Sequence, residues 1–427
     1  MGRVVRIAGD ETHEVRISTL RLITGLEPDQ FAEALSREVG YPISPYVYLS
    51  WERGTTPSPP TVIAAGRRVA SRGLRDAPLP SPMSRRQFLG EVATLTAIAM
   101  SGLNAHAVTG HQVDGNHQGS LRISPDGASD LEALVQDYRR SYASKRSVAE
   151  LLPGATGFTQ LLIDLGRGNQ WPSQRTPITS LIGQMALLTG LLNLMGPRRL
   201  NDAAIWYQLA LRAAQEAEDA DLAMYVLSSL AFHAVCSGHL VDGLAIVEAG
   251  QSLAEGAAAR TRAHAASLAS ELYAREGDDR QAGRYLEAAR RAFEDVGSPP
   301  DWKGIGWFDE AKLDAYEGGN LLLLGRYNEA ENLLRASLRR LDHTRVKHRS
   351  TSTADLAMCL ASKNTVDVEE VCAHATDALA LATQVGHQES VLRVARVHFR
   401  LLRWRKYPAV RQLGERIDAA RLVASPP

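Results

Sequence analysis

The chain has 427 residues, 44% of them hydrophobic, and its 48 basic and 48 acidic side chains balance to a formal charge of zero. That length holds two or three domains of ordinary size, and a neutral total excludes a general electrostatic attraction to nucleic acid, so any DNA contact must be local. Three widely spaced cysteines, Cys236, Cys359 and Cys372, make no CxxC pair, which argues against a disulfide framework or a zinc site and fits a reducing cytoplasm.

Residues 1–16 read as a lead-in. A first helix is expected at Ser18–Thr24, ended by Gly25, and a second at Pro28–Val39, with Phe31, Ala34, Leu35 and Val39 at helical spacing. Gly40-Tyr41-Pro42 makes a turn. The next stretch, 44–54, predicts a short helix with Ser44 as N-cap, Pro45 in its first turn and Gly54 at its end. Its period sends Tyr48 and Trp51 inward and leaves Tyr46 and Ser50 on the other face. A fourth helix is expected at about 60–71. Two short helices joined by a tight turn form a helix-turn-helix, whose second helix enters the DNA major groove. Residues 1–86 carry twelve arginines against nine Asp/Glu, a net of +3, which is only mildly basic.

The pattern Leu20-Arg21, Gly25-Leu26, Gln30-Phe31-Ala32, Ser44, Tyr48, Trp51-Glu52-Arg53-Gly54 and Pro57 resembles the lambda-repressor-like, or xenobiotic-response-element, helix-turn-helix family over about 55 residues. The resemblance implies double-stranded DNA as a partner, a homodimer, and a contact set of Ser44, Pro45, Tyr46, Ser50 and Arg53. In that set Pro45, Tyr46 and Ser50 are turned toward the bases and Arg53 lies near the backbone. Two departures stand out. Glu27-Pro28 replaces the Ser-Gln that opens the family's second helix, so a phosphate contact is lost. The spacing from Ala32 to Gly40 is also about one helical turn longer than usual.

Residues 76–128 read as a flexible linker, with Pro78, Pro80 and Pro82 near its start. Inside it, Ser84-Arg85-Arg86-Gln87-Phe88-Leu89, the apolar stretch 92–103 and Ala105-His106-Ala107 resemble a twin-arginine export signal (84–107), although such a signal belongs at an N-terminus. Export or membrane association is therefore the alternative to a cytoplasmic location. His106, His111 and His117 lack the spacing of a metal site. No apolar run is expected to reach the ~18–20 residues of a membrane span.

From residue 129 onward alanine and leucine dominate and helix follows helix, so the fold class is all-α. The first pair is expected at 130–147 and 148–166, interrupted at Pro153-Gly154. Small anchor residues then recur at Ala203, Gly243, Ala282, Ala330, Val371 and Ala409, at intervals of 40, 39, 48, 41 and 38. Small residues are needed where paired helices cross closely. The units, above all Gly325-Arg326-Tyr327-Asn328-Glu329-Ala330, resemble tetratricopeptide repeats. The resemblance implies an α-solenoid whose groove takes a peptide, protein or small-molecule effector, with candidate groove residues Gln184, Tyr225, His233, Tyr273 and Asn320 on the first helix of each pair. Arg393, Arg396, Arg400 and Arg403 fall on one face of a late helix. They read as the solvated outer face of a terminal unit, with DNA phosphate, an acidic partner or a second protomer as the alternatives.

The chain has no P-loop, GxSxG, HExxH, dinucleotide fingerprint or EF-hand loop. No enzyme, no cofactor and no metal are expected. The reading is a DNA-binding regulator with an effector-sensing, dimerising helical array. Its rivals are a protein-interaction scaffold that does not read DNA and an exported repeat protein.

Overall fold

The computed structural model of the chain describes residues 15–24, 26, 28–73, 125–168, 172–296, 304–305 and 308–424. Among the described residues there are eighteen α-helices, two short 3-10 turns and no strand.

The first four helices make a small head: α1 (Ile17–Thr24), α2 (Pro28–Val39), α3 (Pro45–Glu52) and α4 (Pro60–Gly73). Their bounds follow the sequence closely because the local signals are strong. Ser44 Oγ accepts the Val47 N–H at 3.2 Å, and Pro45 occupies the first turn. Gly54 closes the helix in the left-handed region at φ +69°. Leu20, Ile23, Phe31, Leu35, Tyr48 and Val62 are buried together, with the Phe31 and Tyr48 rings edge to face at 5.8 Å. Trp51 is half-buried. Arg21 Nε pairs with Glu52 Oε1 at 2.6 Å and ties α1 to α3.

The remaining helices are α5 (Pro125–Ala143), α6 (Val148–Arg167), α7 (Pro172–Met195), α8 (Leu200–Glu216), α9 (Ala220–Cys236), α10 (Leu240–Gly250), α11 (Ala259–Glu276), α12 (Asp279–Glu294), α13 (Glu310–Leu323), α14 (Tyr327–Arg340), α15 (Val346–Ser362), α16 (Val368–Val385), α17 (Gln388–Leu401) and α18 (Pro408–Ala424). From α7 they stack as repeated pairs. The first helices of successive pairs, α7, α9, α11, α13, α15 and α17, touch one another in an inner row, and each second helix packs on its own first helix outside that row.

The anchor residues explain the regularity. Ala203, Gly243, Ala282, Ala330 and Val371 are each the fourth residue of an outer helix, and all are buried. A Cβ on Gly243 would lie 3.0 Å from the Ala231 carbonyl oxygen, so the helices cross there at glycine distance. Five residues before four of these anchors the chain turns through left-handed backbone, at Arg198, Gly238, Gly277 and Gly325.

Several expectations change. The helix α6 runs straight through Pro153. Proline removes one rung of the ladder, and Gly154 serves packing rather than breaking: a Cβ there would lie 2.7 Å from Tyr138 Oη, the ring that stacks on Phe158. The last anchor is one residue late, because Val410 is fully buried and Ala409 only partly so. Ser173–Met195 is long and apolar enough to cross a membrane, contrary to expectation, and most of it is buried inside the array as a core helix. The array begins at Pro125 rather than 129. The linker before it and the twin-arginine-like segment, with His106, His111 and His117, lie outside the described residues.

Head and array meet. Helices α1 and α4 pack on α10, and one buried apolar cluster runs from the head into the first half of the array. Asp242, buried in the first turn of α10, accepts the Arg16 main-chain N–H at 2.8 Å and its Nε at 2.5 Å.

Candidate functional site

Stacked helix pairs make a curved inner surface. Here two sets of contacts bring its early and late helices together, and a third ties in the segment between α12 and α13. Lys347 Nζ on α15 donates to the carbonyls of Tyr142 (2.9 Å), Ser144 (3.4 Å) and Arg146 (2.6 Å) in the α5–α6 turn. Arg198, between α7 and α8, pairs with Glu389 at the start of α17 (3.0 Å). Arg198 holds left-handed backbone at a turn position where three later pairs place glycine; its side chain is needed for this clasp. Arg139 donates to the Gly304 carbonyl from Nε (3.0 Å) and Nη2 (2.5 Å), and the Tyr225 hydroxyl donates to the Ile305 carbonyl (3.2 Å). Ile305 and Phe308 are thereby buried against the inner row.

The result is a cavity of about 520 Å³, within the size range of small-molecule sites. One part of its wall is aromatic. The His264 ring stacks on Tyr225 at 4.5 Å and meets Phe308 and Tyr316 edge-on at 5.5 and 5.9 Å. Burial, reinforced by the Lys312 charge, holds the His264 imidazole down at about 3. His387, at the start of α17, is likewise held at about 3, and His348 well below its ordinary value, both chiefly by burial. All three rings are therefore neutral near pH 7.

The rest of the wall is charged. Three carboxylates line it, and each is answered by arginine. Glu271 pairs with Arg275 at 2.5 Å, and Asp355 takes both oxygens to Arg393 Nη1 at 2.7 Å. Glu389 takes Arg198 and, at 3.4 Å, Arg393 Nε. Six cations share the wall with these three acids: Arg275, Lys312, Lys347, Arg393, Arg396 and Arg400. The lining carries a surplus of positive charge. Lys312 Nζ stands 5.1 Å over the Tyr316 ring with no carboxylate paired to it among the described residues, and burial lowers it to about 8. The Tyr207 hydroxyl, fully buried in the same wall, has no hydrogen-bond partner among the described residues.

The predicted groove residues divide. Tyr225 and Asn320 line the cavity, the latter with its amide 2.9 Å from Ser270 Oγ, which ties α13 to α11. Gln184, His233 and Tyr273 do not, and each is occupied in joining helices. Gln184 Oε1 accepts from Arg139 (3.2 Å), His233 Nε2 lies 2.8 Å from the Leu200 carbonyl, and the Tyr273 hydroxyl donates to Glu248 (3.1 Å). The arginine stripe is solvated at Arg396, Arg400 and Arg403, as expected, but it lies on an inner-row helix rather than an outer face. Arg393 turns into the wall, Arg396 and Arg400 stand at the cavity's rim, and only Arg403 leaves it, stacking on Trp404 at 3.7 Å.

On the head, Ser44 is the cap of α3. Ser50 Oγ donates to the Val47 carbonyl (2.7 Å) and lies 2.7 Å from Thr56 Oγ1, and Arg53 is exposed just past the helix end. Pro45 and Tyr46 occupy its first turn. Residues that the sequence did not single out, Lys312, Lys347, His264 and Asp355, make the cavity's chemistry. The available signal was ionisable side chains on otherwise apolar inner helices, which are rarely buried without a partner. The arrangement can hold an anion by charge and a planar group by stacking. No family model matches the chain, and no curated protein matches it.

Proposed function

We propose that the chain is a DNA-binding transcriptional regulator of the lambda-repressor-like helix-turn-helix type, whose tetratricopeptide-like array senses a small effector and pairs two copies on double-stranded DNA. In this reading α2 and α3 are the helix-turn-helix. The proposed contact set on this helix, Tyr46, Ser50 and Arg53, would meet the major groove and its flanking phosphates. The observation that carries the proposal is the charged cavity on the array's inner row, linked to the head through a short path. The cavity wall at Tyr225 belongs to α9, α9 packs on α10, and Asp242 of α10 holds Arg16 just before α1. Arg21 of α1 in turn holds Glu52 of α3. An effector that binds one arrangement of these contacts better than another shifts how the two heads are presented, and so shifts operator affinity.

Genome-wide crosslinking of the full chain tests it, with Tyr46→Ala, Ser50→Ala and Arg53→Ala as controls. Discrete enriched sites that disappear in the variants are expected. Absence of enrichment, or enrichment indifferent to the substitutions, overturns the reading of α3. That outcome would favour an interaction scaffold without sequence-specific DNA binding. One observation supports this second reading: the Ser44 and Ser50 hydroxyls are already engaged within the head.

A further inference from the structure

Building on the cavity as the effector site, we infer that its ligand is a compact anion carrying a planar ring, with the acid group met by Lys312 and the ring laid against the aromatic wall around His264. Three observations converge. Every carboxylate in the wall is already paired with arginine, so the surplus cations have no carboxylate of their own among the described residues. Among the less exposed cations of the wall, Lys347 spends its protons on three carbonyls and Arg393 donates to Asp355 from Nη1 with Glu389 3.4 Å from its Nε, while Lys312, half-buried, has only the Tyr316 ring among the described residues. A partly desolvated ammonium without an anion carries a cost, and an incoming carboxylate or phosphate reduces it. Beside it, Tyr225, His264, Phe308 and Tyr316 give a ring both a stacking face and edges. The unpartnered Tyr207 hydroxyl lies in the same wall and is available to a second polar group of the ligand. Arg396 and Arg400 at the rim favour the entry of an anion over a cation.

The test is a charge series on one ring: phenyl phosphate, benzoate, benzyl alcohol and benzylamine, titrated calorimetrically into the full chain. Affinity is expected to fall in that order. Lys312→Met should weaken phenyl phosphate by roughly tenfold or more, the scale of a hydrogen bond to a charged group, and leave benzyl alcohol unchanged. Lys312→Arg should keep the order. Because Lys312 holds no ion pair, the methionine variant is expected to fold, and its melting temperature checks that. Tyr207→Phe should retain or gain thermal stability; if salicylate, which adds a hydroxyl to benzoate, binds it as tightly as the parent, the role given to Tyr207 is overturned. A flat series, a preference for benzylamine, or indifference to Lys312→Met overturns the assignment of an anion. Gel shifts with the same compounds separate this from the regulator reading. Phenyl phosphate that binds without changing DNA affinity sinks effector control and leaves the anion site standing. DNA affinity that answers to benzylamine instead does the reverse.

Discussion

Across the head, the side chains that face one another between helices are Leu20, Ile23, Phe31, Leu35 and Val62; across the inner row of the array they include Glu271, Lys312, Asp355 and Arg393. Both regions are built of helices with strong local signals; the head's interior is sealed, while the cavity opens to solvent past Arg396 and Arg400. The first interior is mostly explained by folding alone, since apolar burial contributes about 25 cal/mol per Å² and asks for no further partner; the Tyr48 hydroxyl, buried there without a hydrogen-bond partner among the described residues, is its exception. The second interior is not. Ion pairs in such places offer little net stability over a well-packed apolar core, and a lone buried ammonium or hydroxyl subtracts from it. Groups that a fold does not need and would be more stable without mark the place where it does something else.

The largest expected way to break this contrast is Asp355→Ala. It strips Arg393 of its two 2.7 Å contacts in a place where both side chains are less than one-fifth exposed. The expected loss is about 3–5 kcal/mol in chemical denaturation, as for other interrupted buried pairs. Removing Asp137 from Arg140, a pair 62% exposed on both sides, should cost under about 1 kcal/mol. Equal losses at the two sites would mean that water reaches the inner row freely.

Acid sharpens the same contrast. His264 and His387 are held near 3 by burial, against about 6.5 in an unfolded chain. Between those values the unfolded state binds more protons, so stability falls as pH falls. At pH 5.5 each imidazole costs about 1.3 kcal/mol relative to neutral pH, or about 2.5 kcal/mol together. The head has no histidine among its described residues. Amide exchange followed from pH 7.5 to 5.5 should therefore loosen α11 and α17 before α1 to α4. Loosening that starts in the head would contradict the neutral-histidine interior.

How much of this was legible in the sequence follows the range of the interactions. Ser44, Pro45 and Gly54 act within one turn, and they located α3 without help. The anchors at Ala203, Gly243, Ala282, Ala330 and Val371 repeat a local need for small side chains, so the period was visible. The cavity was not, because Lys347 meets Tyr142 across 205 residues and Arg198 meets Glu389 across 191. No periodicity encodes which lysine closes a ring. For the same reason Gln184, His233 and Tyr273, sensible choices on inner helices, proved to be joints between neighbours, and an arginine stripe suited to solvent lies on the inner row. The Pro153-Gly154 pair misled in the opposite direction: a strong local break signal yielded to the packing of Tyr138.

Gly243→Ala tests a legible position by itself. The added methyl would sit 3.0 Å from both the Ala231 carbonyl oxygen and Leu272 Cδ2, and the carbonyl cannot move without its helix. Overpacking of this kind costs about 1–3 kcal/mol. A thermal melt that is unchanged would show that α9 and α10 can separate at little cost, and would remove the packing reason for the 40-residue period.

The smallest expected effect lies on the seam between the two regions. Asp242→Asn keeps an acceptor for the Arg16 main-chain N–H but withdraws the charge that holds its guanidinium. Arg16 is about half exposed, so the loss should be modest, about 1 kcal/mol or less. It should appear as up to about fivefold faster amide exchange in α1 and α4, with phenyl phosphate affinity in the array unchanged. If exchange in the head does not move, the apolar contacts of α1 and α4 with α10 hold the head without the ion pair. If ligand affinity moves as well, the cavity and the seam share one equilibrium. The carboxylate at the start of α10 would then couple the charged interior to the apolar one, alongside the apolar contacts that join them.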